Sequence, residues 1–570
     1  MKFKQILYAD DITLFVKNSN SVKRLKYLLE EFEKVSGLKT NKGKTNFFWM
    51  GKDQDRPQTP LFGNLVQQIK ILGVYFSLNV IIKEDLNFKE ILSKIKRLLG
   101  WWKQRDLTLM GKIHLLKSYA LSKLNYVSSL LVVPNWLFVE VERITFEFLW
   151  SGKDRIKRNI MYQDYSHGGL RMMNFKLFIK AQRLMWLKRL LYGERNAGWK
   201  LYFDFCFRSL GGRLLFLCDF DFCKLTQTMP QFYSEMLKAW QDMRKYRYTK
   251  EEVNPIIFNN KNICVRGKMI FDIDLYNKGI YTVDHIFDNG VVRPVAYFQN
   301  LGVTADELLH IIDIVHAIPT TWKKAYSSIK FIKIDDENFN VKLNISKLET
   351  TFEVIKSKTI YNSFVENLRE TYNLTLKDKN INLNFTDVEM CNRFSQTRST
   401  TLIRKQREFQ FLLLHGVIYT KEQLLRFGYV KDSLCSFCGR ETESYMHIFL
   451  NCSKVKPLWE FFIKYFCMSE LRDLEWRDIH LGLSGSTNRN NCVNSIIFFI
   501  KYAIFQSRTN SQVPSCHKIQ KYIAECREEE KCLAIKSGKL SLHVKKWEEL
   551  KVNETLNANR CDVSAGVVSV

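Results

Sequence analysis

Ile6-Leu7-Tyr8-Ala9-Asp10-Asp11-Ile12-Thr13-Leu14-Phe15 places two adjacent carboxylates between two short apolar, β-prone runs. The pattern predicts a β-hairpin whose tight turn carries Asp10 and Asp11. Two acids on a rigid turn with little polar company suit a hard divalent cation such as Mg²⁺. An acidic turn between two strands is common by itself, so its meaning depends on what surrounds it.

Downstream, Asn18 to Ser21 supply capping side chains, and Val22, Leu25, Leu28, Leu29, Phe32 and Val35 recur at helical spacing until Gly37. A basic turn through Lys42 and Lys44 leads to an apolar strand at 46–50, and a further strand is expected from Ile69 to Phe76. Residues 88–103 read as an amphipathic helix. A second helix follows Gly111 with Ile113, Leu116, Ala120, Leu121 and Leu124 as its core face, and a third covers 136–150. Gly168-Gly169-Leu170 then opens toward a helix carrying Lys176, Lys180, Arg183, Lys188 and Arg189. Basic faces with interleaved aromatics fit a groove that tracks a nucleic-acid backbone.

The charge follows the same geography. The 570 residues carry a formal net charge of +28, and residues 1–200 hold 36 basic against 17 acidic side chains, the remainder 51 against 42. A regional surplus of this kind favours a polyanionic partner, nucleic acid being the simplest. Hydrophobic content of 46% excludes a largely disordered chain. The most apolar run, Ile496 to Phe505, is broken by Lys501 and is too short to span a bilayer, so no membrane partner is expected. The N-terminus runs straight into the hairpin with no signal peptide, so the 14 cysteines are expected to be reduced, in an intracellular compartment.

Four of the metal-binding residue types are spaced as Cys435-x2-Cys438-x8-His447-x4-Cys452. Two thiolates two residues apart make a knuckle, and an imidazole with a third thiolate closes a tetrahedron around Zn²⁺; with no open position the ion is structural. Lys454, Lys456 and Trp459 follow, setting charge and a large aromatic beside the knuckle. Residues 201–400 mix short apolar runs with Asn-rich stretches and show no repeat. Within them Leu214–Phe222 and Met269–Asp274 look superficially like strands followed by acids.

Taken together these motifs resemble the C-terminal part of a LINE-type, non-LTR retrotransposon reverse transcriptase. Tyr8-Ala9-Asp10-Asp11 is similar to palm motif C, Ser36-Gly37-Leu38 through Lys44-Thr45 to motif D, Ile71-Leu72-Gly73-Val74 to the primer grip, and Trp102 to Tyr126 to the thumb. The Cys435–Cys452 knuckle is similar to the zinc module near the end of such proteins. The resemblance implies an α+β fold, an incomplete right-hand polymerase palm hairpin followed by a mostly helical thumb, a connecting region and a small zinc-binding helical module. The corresponding boundaries are 1–80 for the partial palm, 81–200 for the thumb and basic helices, 201–400 for the connector, 401–525 for the zinc module and 526–570 for a polar, frayed tail.

The implied function is RNA-directed DNA synthesis on an RNA template and DNA primer or target, by two-metal nucleotidyl transfer with Mg²⁺. Asp10 would ligate metal with Asp11 beside it, Tyr8 would pack near the primer end, and Lys44 would approach the leaving pyrophosphate. Such a site also takes a motif A carboxylate from a strand well before motif C. Only seven residues precede Tyr8, which implies an N-terminally truncated polymerase that does not work alone. The alternative is a non-catalytic nucleic-acid-binding relic or domesticated fragment using thumb and knuckle. Nuclear action is implied by resemblance to target-primed integration, and the oligomeric state stays open.

Overall fold

The computed structural model describes residues 5–8, 11–50, 63–193, 198–225, 229–247, 256–325, 340–345, 348–370, 391, 393–394, 403–483, 485, 487–553 and 555–556. Helices dominate, and every sheet among the described residues is a two-stranded one. The α+β class therefore holds in its coarse form. The chain divides into two compact units, each discontinuous. One takes Met1–Leu99, Ala120–Glu142 and Asn174–Val365, and the other Gly100–Tyr119, Arg143–Met173 and Glu366–Val570.

In the first unit the hairpin forms as the alternation dictates, Gln5–Tyr8 pairing antiparallel with Asp11–Leu14 and Tyr8 opposite Asp11. Its apolar side chains remain in solvent, Leu7 being 59% and Ile12 60% exposed. The helix Ser19–Ser36 starts where Asn18 accepts from the Ser21 amide and stops at left-handed Gly37. The expected strand from Ile69 to Phe76 is instead a hairpin, Gln68–Ile71 with Val74–Ser77. Its two-residue turn needs positive φ at both positions, which Leu72 (47°) and Gly73 (84°) supply, and the Tyr126 hydroxyl donates to the Leu72 carbonyl at 2.5 Å.

The stretch that the sequence left unread forms two aromatic-rich cores. One gathers Phe203, Phe207, Phe216, Trp240 and Phe352, bringing the hairpin Lys342–Ile345 and Leu348–Thr351 against helices before residue 243. The other, around Ile257, Leu275, Ile286, Phe298 and Ile311, is a separate cluster. Neither acidic stretch within them is a long strand. Gly212–Leu217 is a 3-10 helix, and Asp219 is held in an ion pair with Arg247 at 2.6 Å. Asp272 caps the helix Ile273–Asn277. The basic face expected on Phe175–Tyr192 is partly turned inward. Arg183 is 1% exposed, paired with Glu235 and donating to the carbonyls of Ser128 and Leu131, while Lys180 pairs with Asp242 and Lys188 with the Ile355 carbonyl. A buried guanidinium with that many acceptors closes the end of a neighbouring helix rather than meeting a ligand.

The Gly111 helix, whose residues up to Tyr119 belong to the second unit and from Ala120 to the first, buries Ile113, Leu116, Ala120, Leu121 and Leu124 as the periodicity requires. The Leu109 amide at its start donates to Glu408, 299 residues away, at 3.0 Å. The turn after the helix Arg158–Tyr162 explains its glycines. Gly168 (φ 74°) packs on the rings of His415 and Phe394, and its carbonyl accepts from His415 Nε2 at 2.7 Å. Burial pushes the His415 pKa down to about 4. A Cβ on Gly169 would lie 2.1 Å from the Gln163 carbonyl oxygen and 2.6 Å from that of Ile160. These are backbone atoms that cannot swing aside, so Gly169→Ala is expected to cost about 3 kcal/mol in a denaturant titration. A loss below about 0.5 kcal/mol would show that the turn is not closed as described.

The C-terminal core is built on Asn488–Thr509, against which Cys516–Lys536 and Leu540–Glu548 pack. The module thus extends past residue 525. The frayed tail expected there is helical to 548, because Trp547 is buried and its indole donates to the buried Glu530 at 3.0 Å. No helix among the described residues is long and apolar enough to cross a membrane.

Candidate metal centre

The Cys435, Cys438, His447 and Cys452 ligand atoms all lie within 4.8 Å of one another. The knuckle is closed by the Leu434–Thr442 bridge, by the Cys435 amide on the Glu441 carbonyl (2.8 Å) and by the Gly439 amide on the Cys435 carbonyl (2.9 Å), with Gly439 at φ 64°. His447 and Cys452 are five residues apart. In an ordinary α-helix that separation turns the second side chain about 140° away from the first. The segment His447–Asn451 is instead a π-helix, and the Cys452 amide donates back to the His447 carbonyl at 2.8 Å, returning the thiol to the imidazole's side.

Two edges of the cluster test its fit to zinc. Zn–S bonds of about 2.3 Å in a tetrahedron require S···S separations of about 3.8 Å and somewhat shorter S···N ones. Cys435 Sγ and Cys452 Sγ are 3.8 Å apart, and Cys438 Sγ and His447 Nε2 are 3.4 Å apart. His447 Nδ1 meets the Glu441 carboxylate at 3.2 Å, which fixes the ring with Nε2 toward the thiols. The hydrogen bond from Cys452, with the amides of Cys438 and Phe437, holds the Cys435 thiol well below its ordinary range despite burial, and the same contact raises that of Cys452. Cys435, Cys452 and His447 are buried and Cys438 half-buried, and four protein ligands fill a tetrahedral coordination shell. The arrangement can hold a metal ion structurally.

Behind the knuckle, Glu443 is fully buried. It accepts from the Ser436 amide (2.9 Å) and hydroxyl (2.6 Å), from the Lys421 amide (2.9 Å) and from Arg508 (2.7 Å). Arg508 also donates to the Tyr419 carbonyl at 2.8 Å, so one ion pair ties the knuckle to the long helix. Spacing rules find the four ligands but not Glu441, Glu443 or Arg508, whose roles depend on partners elsewhere. Trp459 does stand beside the knuckle, in one core with Cys435 and Cys452, but it is buried. It is 2% exposed, and its indole donates to the Phe449 carbonyl at 2.7 Å, because its helix Lys456–Tyr465 turns that face into the core.

Of the other candidate residues, Asp10 lies outside the described residues. Tyr8 and Asp11 are exposed at the hairpin's end. Lys44 is exposed in a turn, its amide on Asn41 Oδ1 at 3.1 Å, over thirty residues further along the chain. No further group of three or more His, Cys, Asp or Glu able to hold an ion is found among the described residues.

A family model described as zinc-binding in reverse transcriptase matches residues 367–459, which include all four ligands. The Transposon TX1 uncharacterized 149 kDa protein of Xenopus laevis is 21% identical over 498 residues, covering 79% of this chain. The aligned part is 38% of that protein's length. The motifs and both matches point the same way: this chain is similar to the C-terminal part of a LINE-type, non-LTR retrotransposon reverse transcriptase.

Proposed function

We propose that the chain is the part of a LINE-type RNA-directed DNA polymerase from palm motif C onward, gripping template and primer with its thumb-like helices and zinc module. The observation that carries the reading is the reverse-transcriptase zinc match falling on a cluster with tetrahedral zinc edges. The hairpin supports it: Tyr8 and Asp11 face each other across the strands, and apolar residues such as Leu7 and Ile12 stand in solvent as a sheet awaiting a neighbour would leave them. Two Mg²⁺ ions would supply activation of the primer hydroxyl and stabilisation of the leaving pyrophosphate. Asp10 and Asp11 offer one side of that site, and the motif A carboxylate comes from a palm strand outside these 570 residues. Lys44, whose ammonium makes no ion pair with a described residue, would meet pyrophosphate. In the complete protein the site of action is the nucleus.

The isolated chain is then a binder rather than a polymerase. Anisotropy titrations against a labelled primer–template are expected to show affinity falling about a thousandfold or more between 50 and 200 mM salt, as phosphate neutralisation dictates. No primer extension is expected with Mg²⁺. Salt-independent binding would refute the grip, and extension abolished by Asp10→Asn would refute the incomplete palm.

A further inference from the structure

The zinc module carries aromatic rings that its core does not use. Phe427 is 53% and Tyr429 76% exposed, although the backbone around them is closely held. The helix Lys421–Arg426 is followed by left-handed Gly428 (φ 78°), and the Tyr429 amide donates back to the Leu424 carbonyl at 2.9 Å. The start of that helix is anchored on the knuckle. Its Lys421 amide meets buried Glu443 at 2.9 Å, and Arg508 holds the Tyr419 carbonyl at 2.8 Å. Tyr419 and Phe427 then meet edge to face, with 5.5 Å between ring centres. Single apolar side chains are common on protein surfaces, but aromatics set out on a backbone this firmly held make a preorganised face.

A cation joins these rings from another segment of the same compact unit. Arg155 is exposed, and its guanidinium lies 5.7 Å from the centre of the Tyr419 ring and 6.0 Å from that of Trp150. It makes no hydrogen bond or ion pair with any described residue, so the rings hold the guanidinium while no protein group claims its donors. The acids nearby are engaged. Asp154 pairs with Arg158 at 2.7 Å and Glu422 with Arg426 at 3.3 Å. Lys153 and Lys431, two residues from Arg155 and from Tyr429, pair with no described acid. Residues 151–158 and 419–432 together carry seven basic side chains against three acidic ones.

Exposed rings beside an unclaimed guanidinium suit a ligand with flat faces strung on a negative backbone. A duplex keeps its base faces inside its own stack and offers the rings nothing, whereas an unpaired strand can lay its bases on aromatic and guanidinium planes. We propose that Phe427, Tyr429 and Arg155 form a stacking platform for the unpaired bases of a single nucleic-acid strand, with Arg155 also answering its phosphates. The proposal rests on the nucleic-acid-binding reading above and names the form of nucleic acid that this face takes.

The test uses the full chain, a labelled single-stranded oligonucleotide and a second of equal length whose nucleotides lack bases. A stack takes no account of the sugar, so DNA serves as the probe. Wild type is expected to bind the intact strand about tenfold or more tighter than the abasic one. Tyr429→Ala should weaken binding to the intact strand about tenfold, leave binding to the abasic strand and the salt dependence as they were, and melt with the wild type. Tyr429→Phe, which keeps the ring, should bind as wild type does. Arg155→Gln should weaken binding to both strands and lower the slope of log affinity against log salt by about 0.7. Equal wild-type affinity for the two strands, with Tyr429→Ala unchanged on either, overturns the platform and leaves the nucleic-acid reading standing. A wild type that binds neither strand overturns both. A Tyr429-dependent dimer in sedimentation, without base-dependent binding, would assign the face to a second copy of the chain and overturn the proposal as well.

Discussion

Cys438→Ser is expected to strip the chain of its zinc and to unfold the C-terminal module. Wild-type protein purified without chelators should carry about one Zn²⁺ per chain. Structural zinc contributes roughly 10–16 kcal/mol to the folding of zinc-finger peptides. This module has its own core around Phe409, Trp459, Ile496 and Phe499, so the loss is expected to be smaller, on the order of 5 kcal/mol. Replacing Glu441 offers a graded version of the same test. Its carboxylate meets the far nitrogen of His447, at 3.2 Å, so Glu441→Gln should retain the fold and lower zinc affinity about 10- to 100-fold. A metal-free wild type that melts no differently from Cys438→Ser would dispose of the centre altogether.

Arg508→Met should destabilise the same module by about 3–5 kcal/mol without touching a metal ligand, because it leaves the carboxylate of Glu443 buried and uncompensated. The effect has a distinctive pH dependence. In the folded protein burial raises the Glu443 pKa, but the Ser436 hydroxyl and the Arg508 charge outweigh it, so the net shift from 4.5 is downward. A carboxylate depressed on folding contributes stability that is present above its unfolded pKa and lost as pH falls through its folded one. In Arg508→Met burial acts with less opposition, and the carboxyl is readily neutralised by a proton. The gap between wild type and variant, read by urea titration, should therefore be widest near pH 7 and narrow as pH falls through 4.5. A gap that is constant with pH would mean that the variant fails through lost packing instead.

Local chemistry was legible in the sequence, and long-range chemistry was not. The hairpin, the capped helix Ser19–Ser36 and the core face after Gly111 follow from alternation, caps and periodicity, all of which act within a few residues. The four zinc ligands were readable for the same reason. The inward turn of Arg183 and Trp459 was not legible because residue type does not tell which way a side chain faces. Each found its acceptors on other elements, Arg183 at Glu235 and Trp459 at Phe449. Residues 201–400 resisted reading because their cores join segments more than a hundred residues apart, as Trp240 does with Phe352 at 5.0 Å between ring centres. No window along the chain contains that pairing. Glu441 was hidden for a different reason. An exposed acid between two ligands looks like any solvated residue until the imidazole is seen to turn toward it.

The bond from the Leu109 amide to Glu408 spans 299 residues within one compact unit. Synthesis at about 5–20 residues per second leaves that helix start without its carboxylate for roughly 15–60 s after it leaves the ribosome. Over the same interval Gly168 waits for Phe394 and His415. Helices 109–115 and 158–162 therefore emerge as unfinished surfaces, held open while the whole intervening unit is made. A nascent chain arrested before residue 400 should expose them to protease and to chaperones, and release past residue 415 should bury them together.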